Sequence, residues 1–535
     1  WYATRARLAH WIDMKKTNYF LAALLAGGLL MSGCSEDFLN NDPTTSITDD
    51  MASKSASGLR SIIEGIHNMI YSYSSDSDQS FTLGQPAFNI HYDMLGDDFI
   101  NTMIAYHMSV YRWQDHTDPY GDINERAWDF YYKVIQHANQ VITGVEKLKD
   151  APASDVASLK GEAHTLRAWA YYNLVQLFGK RYVKGAANDN LGVIIRKEVT
   201  YDAVKRSTVA EVYALIDEDM KIGLENLAKA PDLGRKNAIR YSTACGIAAR
   251  IALTKSEWAD AAKYADLAIQ KSGATLQSGA ALCDGFCKLS ASEWMWGYTQ
   301  NSLQDFFYAS FFATYGYNFK GKISGFKFAV NRDIYDKMGE KDARRGWWVC
   351  LDRKDPIPED ANEDYFEGGT KEPKWEITGQ NVKFRAKSAN DTHGDLLIMR
   401  LGEMYYIKAE AEARQGKDAE AKKTLEEIMV TRDPDYKTTA MGNELIEEIL
   451  RNRRIDLWAE GQRFFDMKRL SAVPNRLNVS NITKYLHGKD SVTAVTRNSG
   501  SFAKQVAKSA DDNAWQFAIP YAELRANKLC EQNPF

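Results

Sequence analysis

Positive charge is not in excess in this chain of 535 residues, whose formal net charge is −4 at pH 7. The sequence therefore lacks the basic stripe with which proteins neutralise nucleic-acid phosphates, and no nucleic-acid partner is expected. No apolar run after residue 34 is long enough to cross a bilayer as a helix. Catalytic signatures are missing as well, since there is no nucleophile elbow, no HExxH pair and no phosphate-cradling glycine loop.

Cysteine is scarce, and its number excludes a disulfide scaffold. Apart from Cys34, the cysteines are Cys245, Cys283, Cys287, Cys350 and Cys530. An odd number cannot pair completely. Cys283 and Cys287 could form a disulfide or hold a metal with distant ligands, but no histidine or second cysteine pair stands at zinc spacing. We therefore expect no cofactor, and only a structural calcium ion in an acidic loop is left open.

The N-terminal region carries the pattern of a secretion signal that ends in a cysteine. Two lysines follow Met14, and about a dozen apolar and small residues then lead to Cys34, too few to span a bilayer. The small-small-cysteine ending resembles the bacterial lipoprotein signal, in which the cysteine receives lipid and becomes the new N-terminus. We expect residues 1–13 to be an over-extended gene start, 14–33 a signal peptide and Cys34 the lipid anchor. An ordinary signal peptide with a chance cysteine is the alternative.

An acidic pair directly after this cysteine bears on the location of the protein. Glu36 and Asp37 resemble the signal that sends some Gram-negative lipoproteins to the outer face of the outer membrane. The simpler interpretation is a solvated tether, which the short polar stretch 34–50 resembles in any case. We therefore expect a cell-surface lipoprotein that acyl chains hold in the outer membrane.

Helical periodicity dominates the mature chain, which at about 500 residues exceeds the size of a single core. We expect a helical region over 51–271 and a second region over 272–535. Apolar residues at helical spacing predict helices over 53–73, 128–149, 154–178, 208–228, 242–254, 257–271, 396–415, 417–431 and 444–470. Helix pairs about 34 residues long, with alanine and aromatic residues at their contacts, predict tetratricopeptide-like packing. An irregular helical bundle is the alternative.

The segment 272–395 interrupts the helical pattern. It is rich in glycine and aromatic residues, and long irregular segments of this kind are usually functional. The alternating sequence 293–298 predicts a short strand, with Trp294 and Trp296 in the core. We therefore expect a loop-rich insertion between two sets of helices.

Four stretches together resemble the SusD/RagB family of outer-membrane nutrient-binding lipoproteins. They are EAHTLRAWAYYNLVQLFG at 162–179, MRLGEMYYIKAEA at 399–411, RNRRIDLWAEGQRFFDMKR at 451–469 and FAIPYAELRANKLCEQNPF at 517–535. Their order and the lipoprotein start match the family over essentially the whole mature chain. In the third stretch the family commonly has Glu where Asn452 and Asp456 stand, which alters an expected ion pair on a helix face. We expect this third stretch to be scaffold, because its charged residues can pair along and between helices.

The resemblance implies a function. Members of this family have a tetratricopeptide-like half that supports a loop-rich half, and they sit as lids over a SusC-like TonB-dependent transporter. They bind glycans, or sometimes peptides, for import and do not cut them. The alternatives are a peptide-binding RagB-like receptor, a protein-interaction repeat scaffold and a helical glycoside hydrolase. The hydrolase would need two carboxylates around a cleft, for which Asp97-Asp98 and Glu359-Asp360 are available.

Aromatic side chains in loops are the candidate ligand contacts, because a flat ring holds the apolar face of a sugar while polar groups hold its hydroxyls. The candidates are Tyr71, Tyr73, Trp113, Tyr298, Phe306, Tyr315, Tyr317, Trp347 and Trp348. For each of them the alternative is packing in the core, where large aromatic residues are commonly found.

Overall fold

The computed structural model describes residues 54–72, 84–101, 107–200, 202–304, 310–320, 328–362, 378–476, 478–485, 509 and 511–535. The helices are α1 Ala56–Tyr71, α2 Gln85–Leu95, α3 Met108–Tyr111, α4 Asp122–Val145, α5 Ala153–Phe178, α6 Val209–Leu227, α7 Tyr241–Thr254, α8 Trp258–Ser272, α9 Phe311–Tyr315, α10 Arg332–Tyr335, α11 Leu401–Arg414, α12 Asp418–Arg432, α13 Gly442–Asp456, α14 Arg463–Leu470, α15 Ser480–Thr483 and α16 Tyr521–Ala526. The strands are β1 Phe99–Asn101, β2 Trp294–Tyr298, β3 Phe328–Val330, β4 Trp348–Val349, β5 Gln380–Asn381 and β6 Leu396–Arg400. The prediction of a mostly helical protein is confirmed. None of the helices in these ranges combines the length and the apolar character that a membrane crossing requires.

Successive helices pack on one another in pairs. Each of α4, α5 and α6 contacts the next helix, α8 packs against both α7 and α11, and α11 pairs with α12. Glycine permits a close approach of α5 and α6, since a Cβ at Gly161 would lie 2.7 Å from Cγ of Leu227. On α8 the small residues Ala261, Ala265 and Ala268 are buried. This arrangement is the tetratricopeptide-like packing that the periodicity predicts.

Two small antiparallel sheets accompany the helices. The first has the strand order β1-β3-β5-β4, with Phe99 opposite Val330. The second pairs β2 with β6, and it places Trp294 opposite Arg400. Trp294 and Trp296 are buried, so the prediction of a core strand at this position is confirmed. All residues of β2 are buried, including those between the two tryptophans and after them.

Two predicted helices are divided in the structure. Residues 396–400 form β6 before α11 begins, because they pair with the buried strand β2. The predicted helix 444–470 becomes α13 and α14, separated by left-handed backbone at Ala459 (φ 63°) and Gly461 (φ 76°). A Cβ at Gly461 would lie 2.5 Å from Cγ of Asn89, so the close approach of α2 requires glycine there.

The stretch 451–469 is the centre of a buried ionic network. The carboxylate of Asp456 accepts hydrogen bonds from Arg400 (2.5 Å), Arg432 (2.9 Å) and Arg344 (3.2 Å), and from the hydroxyl of Tyr406 (2.8 Å). Asp456 is completely buried, and its three guanidinium partners lie on other elements, so its ion pairs connect elements, as expected for this stretch.

Other arginines of the same stretch link it to the segment that joins α2 to β1. Arg454 contacts Asp98 (2.5 Å), and Arg463 contacts Asp97 (2.7 Å). Burial alone would raise the pKa of Asp97, but the two guanidinium groups lower it to about 2. The predicted pairing of these charges between elements is therefore confirmed, and it fixes α13 and α14 against the N-terminal part of the chain.

Candidate functional site

Most of the aromatic residues predicted to contact a ligand lie in the core. Trp113, Tyr298, Tyr315, Trp347 and Trp348 are at most 1% exposed. Each packs against at least one further aromatic ring. The core packing considered as the alternative for each of these rings is therefore what the structure shows, because burial of a large ring against other rings is favourable. Their role as ligand contacts stays a prediction.

The remaining candidates divide into two groups. Tyr317 is buried as well, and the half-buried Tyr71 stacks on Tyr298 with a distance of 4.7 Å between ring centroids and an angle of 15°. The ring faces of Tyr317 and Tyr71 are thus largely occupied by protein. Tyr73 and Phe306 lie outside the described residues, and their role as ligand contacts stays a prediction.

A surface groove of about 620 Å³ runs along α4, and we refer to it as the α4 groove. Helix α4 forms one wall, residues 194–200 with 202 and 203 form the second, and α16 with its flanking residues forms the third. The lining residues are Glu125, Arg126, Trp128, Asp129, Tyr132, Lys133, Ile135, Gln136, Asn139, Ile194, Arg196, Glu198, Val199, Thr200, Asp202, Ala203, Pro520, Ala522, Glu523, Ala526 and Asn527. Its volume is that of a typical small-molecule site.

Aromatic and apolar residues form the floor of the α4 groove. Trp128 and Tyr132, one helical turn apart, have ring centroids separated by 4.8 Å. The half-buried Tyr132 donates a hydrogen bond to the carbonyl oxygen of Ile194 (2.7 Å), which ties α4 to the second wall. Burial, together with neighbouring acidic groups such as Glu523, raises the pKa of Tyr132 well above its usual value. The phenol therefore stays protonated and continues to donate.

The second wall is held to the helices by its backbone. The side-chain amide of Asn139 donates to the carbonyl oxygen of Arg196 (3.0 Å). The backbone N–H of Arg196 donates to the hydroxyl of Tyr171 in α5 (2.7 Å). Further along, the Arg196 guanidinium donates to the carbonyl oxygen of Thr200 (3.2 Å). These bonds fix the position of the wall before any ligand arrives.

The third wall is fixed by the C-terminal stretch of the family resemblance. The backbone N–H of Phe517 donates to the carbonyl oxygen of Leu177 (2.9 Å). The amide of Asn533 donates to the carbonyl oxygens of Phe178 (2.9 Å) and Phe517 (2.7 Å). The amide of Asn527, at the end of α16, donates to the carbonyl oxygen of Val204 (2.8 Å). The C-terminal segment is thus anchored to α5 and to the segment before α6.

Charged and amide side chains form the rim. Lys133 and Asp129 form an i, i+4 ion pair (2.8 Å) and both are about half exposed. The groove thus combines an aromatic floor with many donors and acceptors, an arrangement that suits a ligand with both apolar faces and hydroxyl groups.

Metal binding finds no support in the described part of the chain, where no cluster of three histidine, cysteine, aspartate or glutamate side chains is suitably placed. Cys283 and Cys287 are both free thiols in the structure. The disulfide considered from the sequence is therefore not formed between them.

Sequence reasoning missed the α4 groove. Trp128 and Tyr132 appear in the sequence only as the apolar face of a predicted helix, and most of that face is indeed buried. The available signal was the position of Asp129, Lys133 and Gln136 beside these rings on the same helix. The other two walls come from segments far away in sequence, which no local pattern connects with α4.

Comparison with known proteins defines the class. A family model described as "SusD family" matches residues 269–535, and one described as "Starch-binding associating with outer membrane" matches residues 37–253. The chain belongs to the SusD family, as the resemblance of its four stretches predicts.

Individual relatives agree with this assignment. SusD-like protein P2 of Formosa agariphila is 24% identical over 497 residues, covering 85% of this chain and 91% of that protein. A SusD-like protein of Bacteroides ovatus is 29% identical over 134 residues, covering 25% of this chain and 22% of that protein.

Solved structures show the same fold. The crystal structure of a SusD-like carbohydrate binding protein from Bacteroides vulgatus has a TM-score of 0.71 at 22% identity, covering 89% of this chain and 97% of that one. Surface glycan-binding protein A from Bacteroides fluxus has a TM-score of 0.63 at 18% identity, covering 90% of this chain and 99% of that one.

Proposed function

We propose that this protein is a lipoprotein of the outer cell surface that binds a nutrient glycan and passes it unchanged to a SusC-like TonB-dependent transporter. Membership of the SusD family and the carbohydrate-binding names of several structural relatives support this role. The family description that includes outer-membrane association supports the location. The observation that carries the proposal is the α4 groove, with its aromatic floor and polar rim.

The chemistry of the α4 groove suits a sugar ring. A pyranose has an apolar face of C–H groups and a rim of hydroxyls, so it needs a flat apolar surface beside donors and acceptors. The half-buried Tyr132 and the exposed Val199 supply the accessible apolar surface, and the buried Trp128 packs against the ring of Tyr132. The Gln136 amide can donate to and accept from sugar hydroxyls, and the carboxylates of Asp129 and Glu198 can accept hydrogen bonds from them. Binding through such contacts is reversible, as delivery to a transporter requires.

Three of the four carboxylates considered for a glycoside hydrolase, Asp97, Asp98 and Asp360, form ion pairs with arginines. Asp97 and Asp98 are buried and ion-paired with Arg454 and Arg463. Asp360 forms an ion pair with an arginine at 2.7 Å. A hydrolase needs one carboxyl group that can donate a proton and a second group beside the substrate. These contacts favour binding without catalysis.

Affinity electrophoresis of the mature chain, residues 34–535, tests binding and catalysis together. Native gels that contain single polysaccharides should retard the protein with at least one of them, and the incubated polysaccharide should release no reducing ends. Hydrolysis would contradict the proposal, and so would unchanged mobility with every polysaccharide.

Delivery is tested in cells that contain the lipidated protein. We expect the protein to co-purify with a large β-barrel transporter under mild detergent, and loss of that transporter should abolish uptake of the retained glycan. Uptake that continues without the transporter would contradict the delivery step while leaving glycan binding intact.

A further inference from the structure

A pair of exposed tyrosines lies on the surface beside the α4 groove. Tyr120 is 67% exposed and Tyr521 is 44% exposed, although large apolar side chains are mostly buried in the described part of the chain. The two ring centroids are 4.7 Å apart, and the ring planes meet at 30°. Two exposed rings in contact form a small apolar surface, and surfaces of this kind can serve contact with a ligand or partner.

The pair lies where two walls of the α4 groove meet. Tyr120 precedes the first residue of α4 by two positions, and Tyr521 is the first residue of α16. The backbone N–H of Tyr521 donates to the carbonyl oxygen of Pro119 (2.9 Å), which joins the beginnings of the two helices. Because α4 and α16 form two of the walls and their beginnings are joined here, the tyrosines stand at one end of the groove.

The turn that presents Tyr120 is held by its own hydrogen bonds. The Asp118 carboxylate accepts from the backbone N–H of Tyr120 (2.9 Å), and the carbonyl oxygen of Asp118 accepts from the amide of Asn124 (2.7 Å) and from the N–H of Gly121 (2.8 Å). Tyr521 packs against the ring of Tyr120 and limits its motion. The ring face is thus preorganised, which reduces the entropic cost of binding.

The groove is long enough for an extended ligand. Its lining positions on α4 run from Glu125 to Asn139, which at 1.5 Å per residue is a length of about 21 Å. The tyrosine pair extends this surface beyond Glu125. One sugar ring would occupy only part of it, so the geometry favours a chain of several rings.

The charge of the rim favours a neutral chain. The lining includes five carboxylates and only three basic groups, and one of the basic groups, Lys133, is already paired with Asp129. Sulfated or uronic-acid chains would therefore meet a lining in which acidic groups outnumber basic ones, and binding them would cost more desolvation than binding a neutral chain. Hydroxyl groups can donate to the same carboxylates.

We infer that Tyr120 and Tyr521 form a stacking subsite at the end of the α4 groove, and that the ligand is a neutral oligosaccharide chain that lies along α4 with one ring on Tyr120. This inference rests on the proposed glycan-binding function and specifies the ligand class. Tyr120 supplies the contact face, and Tyr521 acts as its positioning residue.

Calorimetry on the mature chain tests the subsite. The probes are neutral malto-, cello-, xylo-, manno- and laminari-oligosaccharides of two to six rings, with a chondroitin sulfate hexasaccharide as the anionic comparison. The hexasaccharide that binds the wild type most tightly serves as the reference ligand. Tyr120→Ala should weaken its binding by roughly 3- to 10-fold and leave the affinity for the corresponding disaccharide unchanged. Tyr120→Phe should retain wild-type affinity, because it keeps the ring. Leu303→Ala, at a side chain that is 91% exposed, is the matched surface control.

The outcomes separate this inference from the function on which it rests. Equal affinity of the wild type and Tyr120→Ala for every length would overturn the subsite alone. A variant that loses co-purification with the transporter but keeps its glycan affinity would assign the tyrosines to a protein interface instead. Preferential binding of the chondroitin sulfate probe would overturn the neutral-chain assignment. Failure of the wild type to bind any glycan would overturn the proposed function and this inference together.

Discussion

The ammonium group of Lys468 in α14 donates a hydrogen bond of 2.8 Å to the carbonyl oxygen of Trp515. It also donates to the carbonyl oxygens of Gln176 and Gly179 at the end of α5. One buried side chain therefore joins the stretch 451–469 to the end of the stretch 162–179 and to the segment that leads into α16. The third wall of the α4 groove depends on this junction.

Stability at the Lys468 junction should depend on pH. Burial lowers the pKa of Lys468 to about 7, whereas an unfolded lysine titrates near 10.4. Between these values the unfolded state binds more protons, so this group makes the free energy of unfolding rise with pH by up to about 1.4 kcal/mol per unit. Lys468→Met should remove that contribution. Denaturant unfolding of the wild type and of Lys468→Met at pH 7 and pH 9 measures this contribution. Equal pH dependence of the unfolding free energy in the two proteins would refute the lowered pKa of Lys468.

Replacement of Asp456 should destabilise the protein strongly. Asp456→Asn keeps the size of the side chain but removes the charge that compensates Arg344, Arg400 and Arg432. Removing one partner of a buried ionic cluster typically costs about 3–5 kcal/mol, because the remaining charges stay buried. Urea unfolding measures the loss. Glu340→Gln, at an exposed ion pair with Arg353, is the control and should leave the unfolding midpoint unchanged. Similar midpoints for the two variants would show that the network is not central to stability.

Lipid attachment is a separate prediction. Palmitate labelling of cells that express the full chain should mark the protein at Cys34, and Cys34→Ala should yield an unlabelled form that leaves the membrane fraction, because acyl chains supply the anchoring free energy. Cys530→Ala is a control that should keep the label. Label that persists in Cys34→Ala would show that the anchor lies elsewhere.

The helical scaffold is predictable from the sequence because its signal is local. The predicted helix 154–178 is observed as Ala153–Phe178, and the predicted helix 242–254 as Tyr241–Thr254. In each case an apolar face repeats over several turns, and a breaker or cap marks the end. The division at Gly461 is not predictable in this way, since it depends on Asn89, which is distant in sequence and close in space.

The ligand contacts are harder to predict because exposure is a tertiary property. Tyr298 follows Trp296 in the same strand, and its hydroxyl lies 2.7 Å from Nδ1 of His67 in α1, a contact with no local signal. Tyr120 and Tyr521 face solvent, and no local pattern relates the two positions to each other. Only the junction of α4 with the C-terminal segment brings these two rings together.

Filling the α4 groove tests the central claim most directly. Ala522 and Ala526 are exposed, line the groove and lie one turn apart on α16, while Arg525 on the same helix is not part of the lining. We expect calorimetry with the preferred neutral hexasaccharide to show at least about 10-fold weaker binding for the double variant Ala522→Leu/Ala526→Leu, because the added side chains narrow the groove. Arg525→Leu should bind like the wild type. Wild-type affinity in the double variant would show that the glycan binds elsewhere and would contradict the account.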